Sequence, residues 1–189
     1  MRPPVDKTRL EAFMKEVGKR FRGNRARVHL VGGCVLVHDG LKAATVDIDL
    51  DIRETPPQDQ GELLGILRDL KKELDLNIEE AAPPDFIPVP AGASDRAGFI
   101  GTYGRVDFYR YDPYSVALAK IERGQERDFE DVATMIGAGS IEWHVLETCY
   151  HEVLPLVPEK GLKGDAEKFA RHFEEARSRW EQSQGKKPS

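Results

Sequence analysis

The order of apolar and polar residues predicts a mixed α/β fold over the first 111 residues. A 3.6-residue period, as in Leu10, Phe13, Met14 and Val17, predicts a helix, whereas strict alternation predicts a strand. The predicted elements are helices over 7–22, 34–38 and 58–74 and strands over 27–31, 46–52, 76–80, 99–103 and 105–109. The proline-rich stretch 81–94 is predicted to be a loop, because proline interrupts helices and central strands.

From Asp112 onward the pattern is helical. Asp112 and Pro113 provide an N-cap and a first helical residue. The predicted helices cover 115–122, 128–136, 141–154 and 165–182. We therefore predict the α/β (α+β) class, with a small mixed β-sheet flanked by helices over 1–111, a helical segment over 112–184 packed on that core, and a disordered tail over 185–189.

Three aspartates, Asp47, Asp49 and Asp51, alternate with apolar residues in the predicted strand 46–52. Side chains at every second position of a strand project from one face, roughly 6.5–7 Å apart. Such a row of like charges is destabilising unless a cation lies between them, and Mg²⁺ prefers oxygen ligands. The alternative is an edge strand whose solvent-exposed face is acidic.

A glycine pair, Gly32-Gly33, stands between the strand 27–31 and the short helix 34–38. Without a Cβ, its backbone N–H groups could approach the phosphates of a nucleotide. An ordinary tight turn is the alternative, and for His29 and His38, which flank the pair, a packing role is favoured. A glycine pair followed at this distance by the aspartate row favours a site for a nucleotide and a metal ion.

The glycine pair, a short helix and then Asp47-Ile48-Asp49 in a strand resemble the signature of the polymerase-β-type nucleotidyltransferase superfamily. The segment GLKAATVDIDL is similar to the corresponding segment of small prokaryotic nucleotidyltransferases of unassigned function. Those proteins are related to toxins of abortive-infection and toxin–antitoxin systems. The resemblance covers roughly residues 27–136. It implies a nucleotidyltransferase fold in which Asp47 and Asp49 bind Mg²⁺ or Mn²⁺, while Gly32, Gly33 and Thr45 contact an NTP. Asp51 lies outside the matching pair.

Such folds often add a third carboxylate from a neighbouring strand. Asp107, between apolar residues of the strand 105–109, is favoured as this metal ligand over Glu79 in the strand 76–80. An exposed strand position is the alternative for both residues.

A second match to the toxin-like relatives is the stretch YSVALAKIERGQERDFEDVATMI. It implies that Lys120 steadies the triphosphate and that Arg127 and Asp128 contact the nucleotide. The alternatives are a Lys120 that snorkels to water, and an Asp128 that is a helix N-cap with Asp131 in a variant capping box. Arg127 could instead pair with Glu130 or Asp131.

Composition and charge narrow the class of protein. The 189 residues have a formal net charge of −5, with both signs mixed along the chain, which argues against an open, salt-driven nucleic-acid binder, and no DNA partner is expected. Cys34 and Cys149 have no CxxC partner, so two buried thiols in a reducing cytoplasm are expected rather than a disulfide or zinc site. No apolar run reaches the roughly 18–20 residues of a membrane span, and no signal-peptide pattern is present. A cytoplasmic location without membrane contact is the expectation.

The resemblance therefore predicts a Mg²⁺-dependent enzyme that moves NMP from an NTP to an acceptor such as tRNA or a protein. Asp47, Asp49, Asp107 and Lys120 are its predicted catalytic residues, and a cognate antitoxin is a possible partner. The competing functions are a non-catalytic binding module of the same fold and a metal-dependent phosphohydrolase.

Overall fold

The computed structural model describes residues 2–157 and 165–184, so the predicted disordered tail 185–189 lies outside the described residues. The chain divides into two units, Met1–Ala82 with Arg96–Asp112 and Pro83–Asp95 with Pro113–Ser189. The sequence prediction instead assigns residues 83–95 to the first segment. The difference arises because this proline-rich excursion packs with helices that follow it in the chain, which local pattern does not reveal.

The first unit contains, among its described residues, a five-stranded mixed sheet in the order β3-β2-β1-β5-β4. Its strands are β1 Ala26–Val31, β2 Asp47–Asp51, β3 Asn77–Glu80, β4 Gly98–Tyr103 and β5 Val106–Arg110. Its helices are α1 Lys7–Arg20, α2 Gly33–His38 and α3 Pro57–Glu73. Strand β1 is antiparallel to β2 and parallel to β5, β2 is parallel to β3, and β4 is antiparallel to β5. The predicted α/β class and the mixed sheet flanked by helices are confirmed.

Alternation along the strands gives the sheet one apolar and one polar face. The apolar face packs on α1 and α3 and includes Val28, Leu30, Ile48, Leu50 and Phe108, all fully buried. The residues between them point the other way. On β1 and β2 this polar face consists of Arg27, His29, Val31, Asp47, Asp49 and Asp51. The aspartate row therefore lies opposite the hydrophobic core of its own unit.

In its described part, the second unit has helices and turns but no strand. It contains two short 3₁₀ turns, Pro83–Asp85 and Leu154–Leu156, and the helices α5 Pro113–Arg123, α6 Glu126–Gly137, α7 Trp143–Val153 and α8 Ala166–Gln184. A further short helix, α4 Ala93–Arg96, begins in this unit and ends in the first. The stretch predicted as a loop over 81–94 thus includes a 3₁₀ turn and the start of α4. Among the described residues, no helix is both long and apolar enough to cross a membrane.

Stacked aromatic rings connect two helices of the second unit. Tyr150 stacks on Phe173 with 3.7 Å between ring centroids, and Trp143 stacks on Phe173 at 5.3 Å and on Trp180 at 5.2 Å. These contacts join α7 to α8, as the apolar stripe of the last helix predicts.

Candidate active site

The glycine turn and the aspartate strand meet at the end of β1. Val31, the last residue of β1, pairs with Asp49, so Gly32 lies beside the Asp49 side chain. Gly32 has φ +66° and ψ −135°, a conformation that only glycine adopts readily. A Cβ at this position would lie 3.0 Å from Oδ2 of Asp49. The chain therefore requires glycine here both for its backbone conformation and for the approach to the carboxylate.

The second glycine of the pair approaches Thr45. A Cβ on Gly33 would lie 2.5 Å from Oγ1 of Thr45. The backbone of Thr45 is held by Val5, whose N–H donates to the Thr45 carbonyl at 2.7 Å, while the Thr45 N–H donates in return at 2.9 Å. The N-terminal segment thus positions the threonine hydroxyl beside the first residue of α2.

Cys34 links the turn to both strands. Its thiol donates to the carbonyl oxygen of Val31 at 2.9 Å and lies 3.5 Å from that of Asp49. Burial raises the pKa of the Cys34 thiol to about 12. The thiol is therefore neutral at physiological pH, and its role is to hold the turn against β1 and β2.

Asp47 and Asp49 are half-buried and share the polar face of β2 with neighbours from β3. The Asn77 amide donates to Oδ1 of Asp47 at 2.5 Å and to Oε1 of Glu79 at 2.8 Å. Glu79 pairs directly with Asp49 in the register, which places their side chains on the same face. Asp47, Asp49 and Glu79 therefore lie on one face of the sheet, and the Asn77 amide bridges Asp47 and Glu79.

Asp51, the third aspartate of the strand, is bound by an arginine. Its Oδ1 accepts hydrogen bonds from the backbone N–H and the Nε of Arg53, both at 2.9 Å. Asp51 is buried and ion-paired, as expected for a residue that flanks the matching motif.

The register does not bring Asp107 to the aspartate pair. Asp107 pairs with Arg27, four residues along β1 from Val31, which corresponds to roughly 13 Å along the strand. Its two carboxylate oxygens accept from Nε of Arg25 and Oγ1 of Thr102, each at 2.6 Å. The hydrogen bond from Arg25 holds the pKa of Asp107 below its usual range. Glu79, the competing candidate, is the carboxylate that the sheet places next to Asp49.

The second sequence match forms an ion-pair network within the second unit. Nζ of Lys120 lies 2.7 Å from Oδ2 of Asp131 and 3.6 Å from Oδ1 of Asp128, and Nε of Arg123 donates to Oδ2 of Asp128 at 2.8 Å. Lys120 and both aspartates are buried. Because two cations face two anions, this network compensates its own charge and connects α5 to α6.

Asp128 is not the N-cap of α6. Gln125 is the N-cap, and the Asp128 carboxylate accepts its backbone N–H at 3.2 Å from the third helical position. Although burial favours the neutral acid, Arg123 and Lys120 keep the pKa of Asp128 below its usual range. Arg127 is exposed and donates to Oε1 of Gln125 at 3.0 Å.

Two groups beside the polar face of the sheet, His29 and Glu54, were not assigned to the site from sequence. His29 lies in the same cross-strand row as Asp51, and Nε2 of His29 is 3.3 Å from Oε2 of Glu54. Alternation along β1 could have placed His29 on this face, but only the pairing with β2 shows that the aspartates share it.

The donor set fits a hard divalent cation. Within residues 2–157 and 165–184, no group of three or more His, Cys, Asp and Glu side chains is arranged to hold a metal ion. Mg²⁺, however, usually takes only one or two protein carboxylates and completes its ligands with water and substrate phosphates. Asp47 and Asp49, beside a turn that lacks a Cβ toward Asp49, meet that requirement.

Comparison with known proteins adds an independent finding. A family model described as "Nucleotidyltransferase of unknown function (DUF6036)" matches residues 8–181, which include the glycine turn, the aspartate strand and the Lys120 network. No curated protein and no solved structure gave a match. The predicted relationship to small nucleotidyltransferases of unassigned function is thereby confirmed, and the chain belongs to this nucleotidyltransferase family.

Proposed function

We propose that the protein is a Mg²⁺-dependent enzyme that transfers NMP from an NTP to an acceptor hydroxyl. The observation that supports this most directly is the approach of Gly32 to Asp49, since it joins a phosphate-binding type of turn to a carboxylate pair. Family membership supplies the class of reaction.

Each part of the site has a task in this reaction. The backbone of Gly32 and Gly33, with the Thr45 hydroxyl, binds the phosphates, and Asp47 and Asp49 hold Mg²⁺ (or Mn²⁺). When bound, the ion neutralises charge that develops on the phosphates. The acceptor oxygen forms a bond to the α-phosphorus, the bond to the bridging oxygen of the β-phosphate breaks, and pyrophosphate leaves. Glu79 replaces Asp107 as the third carboxylate in this proposal, because the register pairs it with Asp49.

The roles of Lys120, Arg127 and Asp128 toward the nucleotide rest on the resemblance alone. In the structure the Lys120 ammonium is bound by Asp131, so contact with a triphosphate would compete with this ion pair. The acceptor, as an RNA such as tRNA or a protein, and a toxin-like role with a cognate antitoxin are likewise proposed from the resemblance.

Thermal stabilisation by each of the four NTPs, with and without Mg²⁺, tests the proposal. We expect a Mg²⁺-dependent rise in Tm for the wild type that is lost in Asp49→Asn, because the amide keeps the side-chain volume but removes the charge that holds the cation. Asp51→Asn is the matched control on the same strand face, and it should retain the rise.

An Asp49→Asn protein that binds Mg²⁺–NTP like the wild type would show that the site is elsewhere. A folded wild type that responds to none of the NTPs would favour the non-catalytic binding module. Release of inorganic phosphate instead of pyrophosphate would favour a phosphohydrolase.

A further inference from the structure

The order of residues along the polar face of the sheet predicts the side from which the acceptor approaches. Moving away from the glycine turn, Asp49 pairs with Val31, and then Asp51 pairs with His29. If the turn binds the phosphates, the leaving pyrophosphate lies on the turn side of Asp49. Phosphoryl groups are transferred with the attacking and leaving oxygens roughly in line. The attacking hydroxyl therefore approaches from the side where His29 lies.

His29 is buried, and only one of its ring nitrogens is paired. Only 6 % of its surface is exposed, and Nδ1 has no hydrogen-bond partner among the described residues. Nε2 lies 3.3 Å from Oε2 of Glu54, within ion-pair distance. Because a buried polar group without a partner is destabilising, the unpaired nitrogen is suited to a hydrogen bond that a substrate group would supply.

The ring is held in one orientation by its aromatic neighbours. Tyr109 of β5 stacks on it, with 5.3 Å between centroids and 25° between planes, and Tyr111 contacts it edge-on at 5.7 Å. Glu54 stands next to the ring as an orienting carboxylate would, and Arg27 donates to Glu54 at 2.7 Å. An imidazole that is held by aromatic rings and stands beside a carboxylate has the surroundings of a general base. The hydrogen bonds of such a base often tighten only when substrate is bound.

Asp107, the third carboxylate predicted from the sequence, is not placed to accept this proton. Asp107 lies one cross-strand row beyond His29, farther from Asp49, and both of its oxygens accept hydrogen bonds from Arg25 and Thr102. On the basis of the proposed function, we infer that His29 accepts the proton of the attacking acceptor hydroxyl. His29 is thus a catalytic residue, and Glu54 is a positioning residue.

The acceptor O–H bond breaks as its oxygen bonds to the α-phosphorus, and the pyrophosphate oxygen leaves with the electron pair of the broken P–O bond. The proton moves to the unprotonated ring nitrogen of His29. It then reaches solvent past the Glu54 side chain, which is 45 % exposed.

The charge around the ring is mixed. The titratable and charged groups around His29 are Arg27 of β1, Asp51 of β2 with its partner Arg53, Glu54 of the loop after β2, Tyr109 of β5, and Tyr111 just after β5. Asp51 is paired with Arg53 and Glu54 with Arg27, so these carboxylates are already neutralised by arginines.

Two measurements on His29→Gln test the inference. Binding of Mg²⁺–NTP is measured by thermal shift, and transfer is measured as pyrophosphate release from NTP with a desalted cell extract as the source of acceptor. We expect normal nucleotide binding but a rate reduced by about 100-fold or more, with loss of the decline in rate at acid pH. His38→Gln, the other histidine beside the glycine turn, should keep both the rate and its pH profile.

The outcomes separate this inference from the proposed function. A His29→Gln protein with the wild-type rate and pH profile would overturn the role of His29 and leave nucleotidyl transfer standing. A wild type that neither binds NTP nor releases pyrophosphate would overturn both. If His29→Gln fails to fold, heteronuclear NMR of the wild-type ring decides, since its titration in the Mg²⁺–nucleotide complex must coincide with the acid limb of the rate. A mismatch would refute the assignment.

Discussion

At the scale of single residues, the candidate site depends on a glycine as much as on its carboxylates. Gly32 lets the chain turn with φ +66° and leaves space beside Oδ2 of Asp49. Gly40, two residues after α2 ends, shares a positive φ of +76°, but a Cβ added to it would have no atom within 4 Å. Comparing the two glycines separates backbone strain from obstruction of the site.

Gly32→Ala should abolish the Mg²⁺-dependent thermal shift with NTP and destabilise the fold by roughly 1–3 kcal/mol. Gly40→Ala should also be destabilised by its positive φ, but with nucleotide binding retained. Urea denaturation and thermal shift of both variants check this expectation. Equal loss of binding in the two would mean that strain alone disturbs the site.

At the scale of elements, periodicity predicted where helices and strands lie, but contacts decide how closely they approach. Helix α1 crosses the β4–β5 turn at Gly18, where a Cβ would overlap the carbonyl oxygen of Tyr103. Gly104, in the turn itself, meets the Gly18 carbonyl in the same way. No local pattern distinguishes Gly18 from any other helical glycine, because its partner lies more than eighty positions away.

Gly18→Ala should therefore destabilise the protein by about 1–3 kcal/mol through overpacking. Gly61 of α3 is the matched control, since no atom lies within 4 Å of its Cβ position. Gly61→Ala should stabilise the protein by roughly 0.5–1 kcal/mol from helix propensity. Urea denaturation curves of the two variants measure both effects, and a stabilising Gly18→Ala would contradict the close crossing.

At the scale of the whole molecule, the two units differ in where their charged side chains lie. The first leaves acidic groups on one sheet face, whereas the second buries Lys120 together with Asp128 and Asp131. Removing one member of a buried network leaves the others with an uncompensated charge, so we expect this network to govern the stability of the second unit toward acid.

Asp128→Asn tests this expectation. Because the pKa of Asp128 is lowered in the folded protein, its ionised form stabilises the fold above the ordinary value of 3.8, and this contribution is lost as the pH falls below it. The variant should lose roughly 2 kcal/mol at pH 7, and the difference from the wild type should shrink below about pH 3.8. Glu130→Gln, an exposed change on the same helix, should differ little from the wild type at either pH. A constant difference across pH would contradict an ionised Asp128.

Local sequence was sufficient to determine the α/β class, the approximate element bounds and the shared face of Asp47 and Asp49. These features follow from local geometry, because side-chain periods of 2 and 3.6 residues and the conformational freedom of glycine are properties of short segments. Family membership agrees with the motif that those segments contain.

Strand pairing and helix packing, in contrast, decided which residues stand beside that motif. Pairing of β2 with β3 places Glu79 next to Asp49, and pairing of β1 with β5 moves Asp107 away from it and stacks Tyr109 on His29. Likewise, helix packing pairs Lys120, which was predicted to contact a triphosphate, with Asp131. The physical reason is that strand register and helix packing join segments far apart in the chain, and a shift of one residue in register would move every side chain to the opposite face.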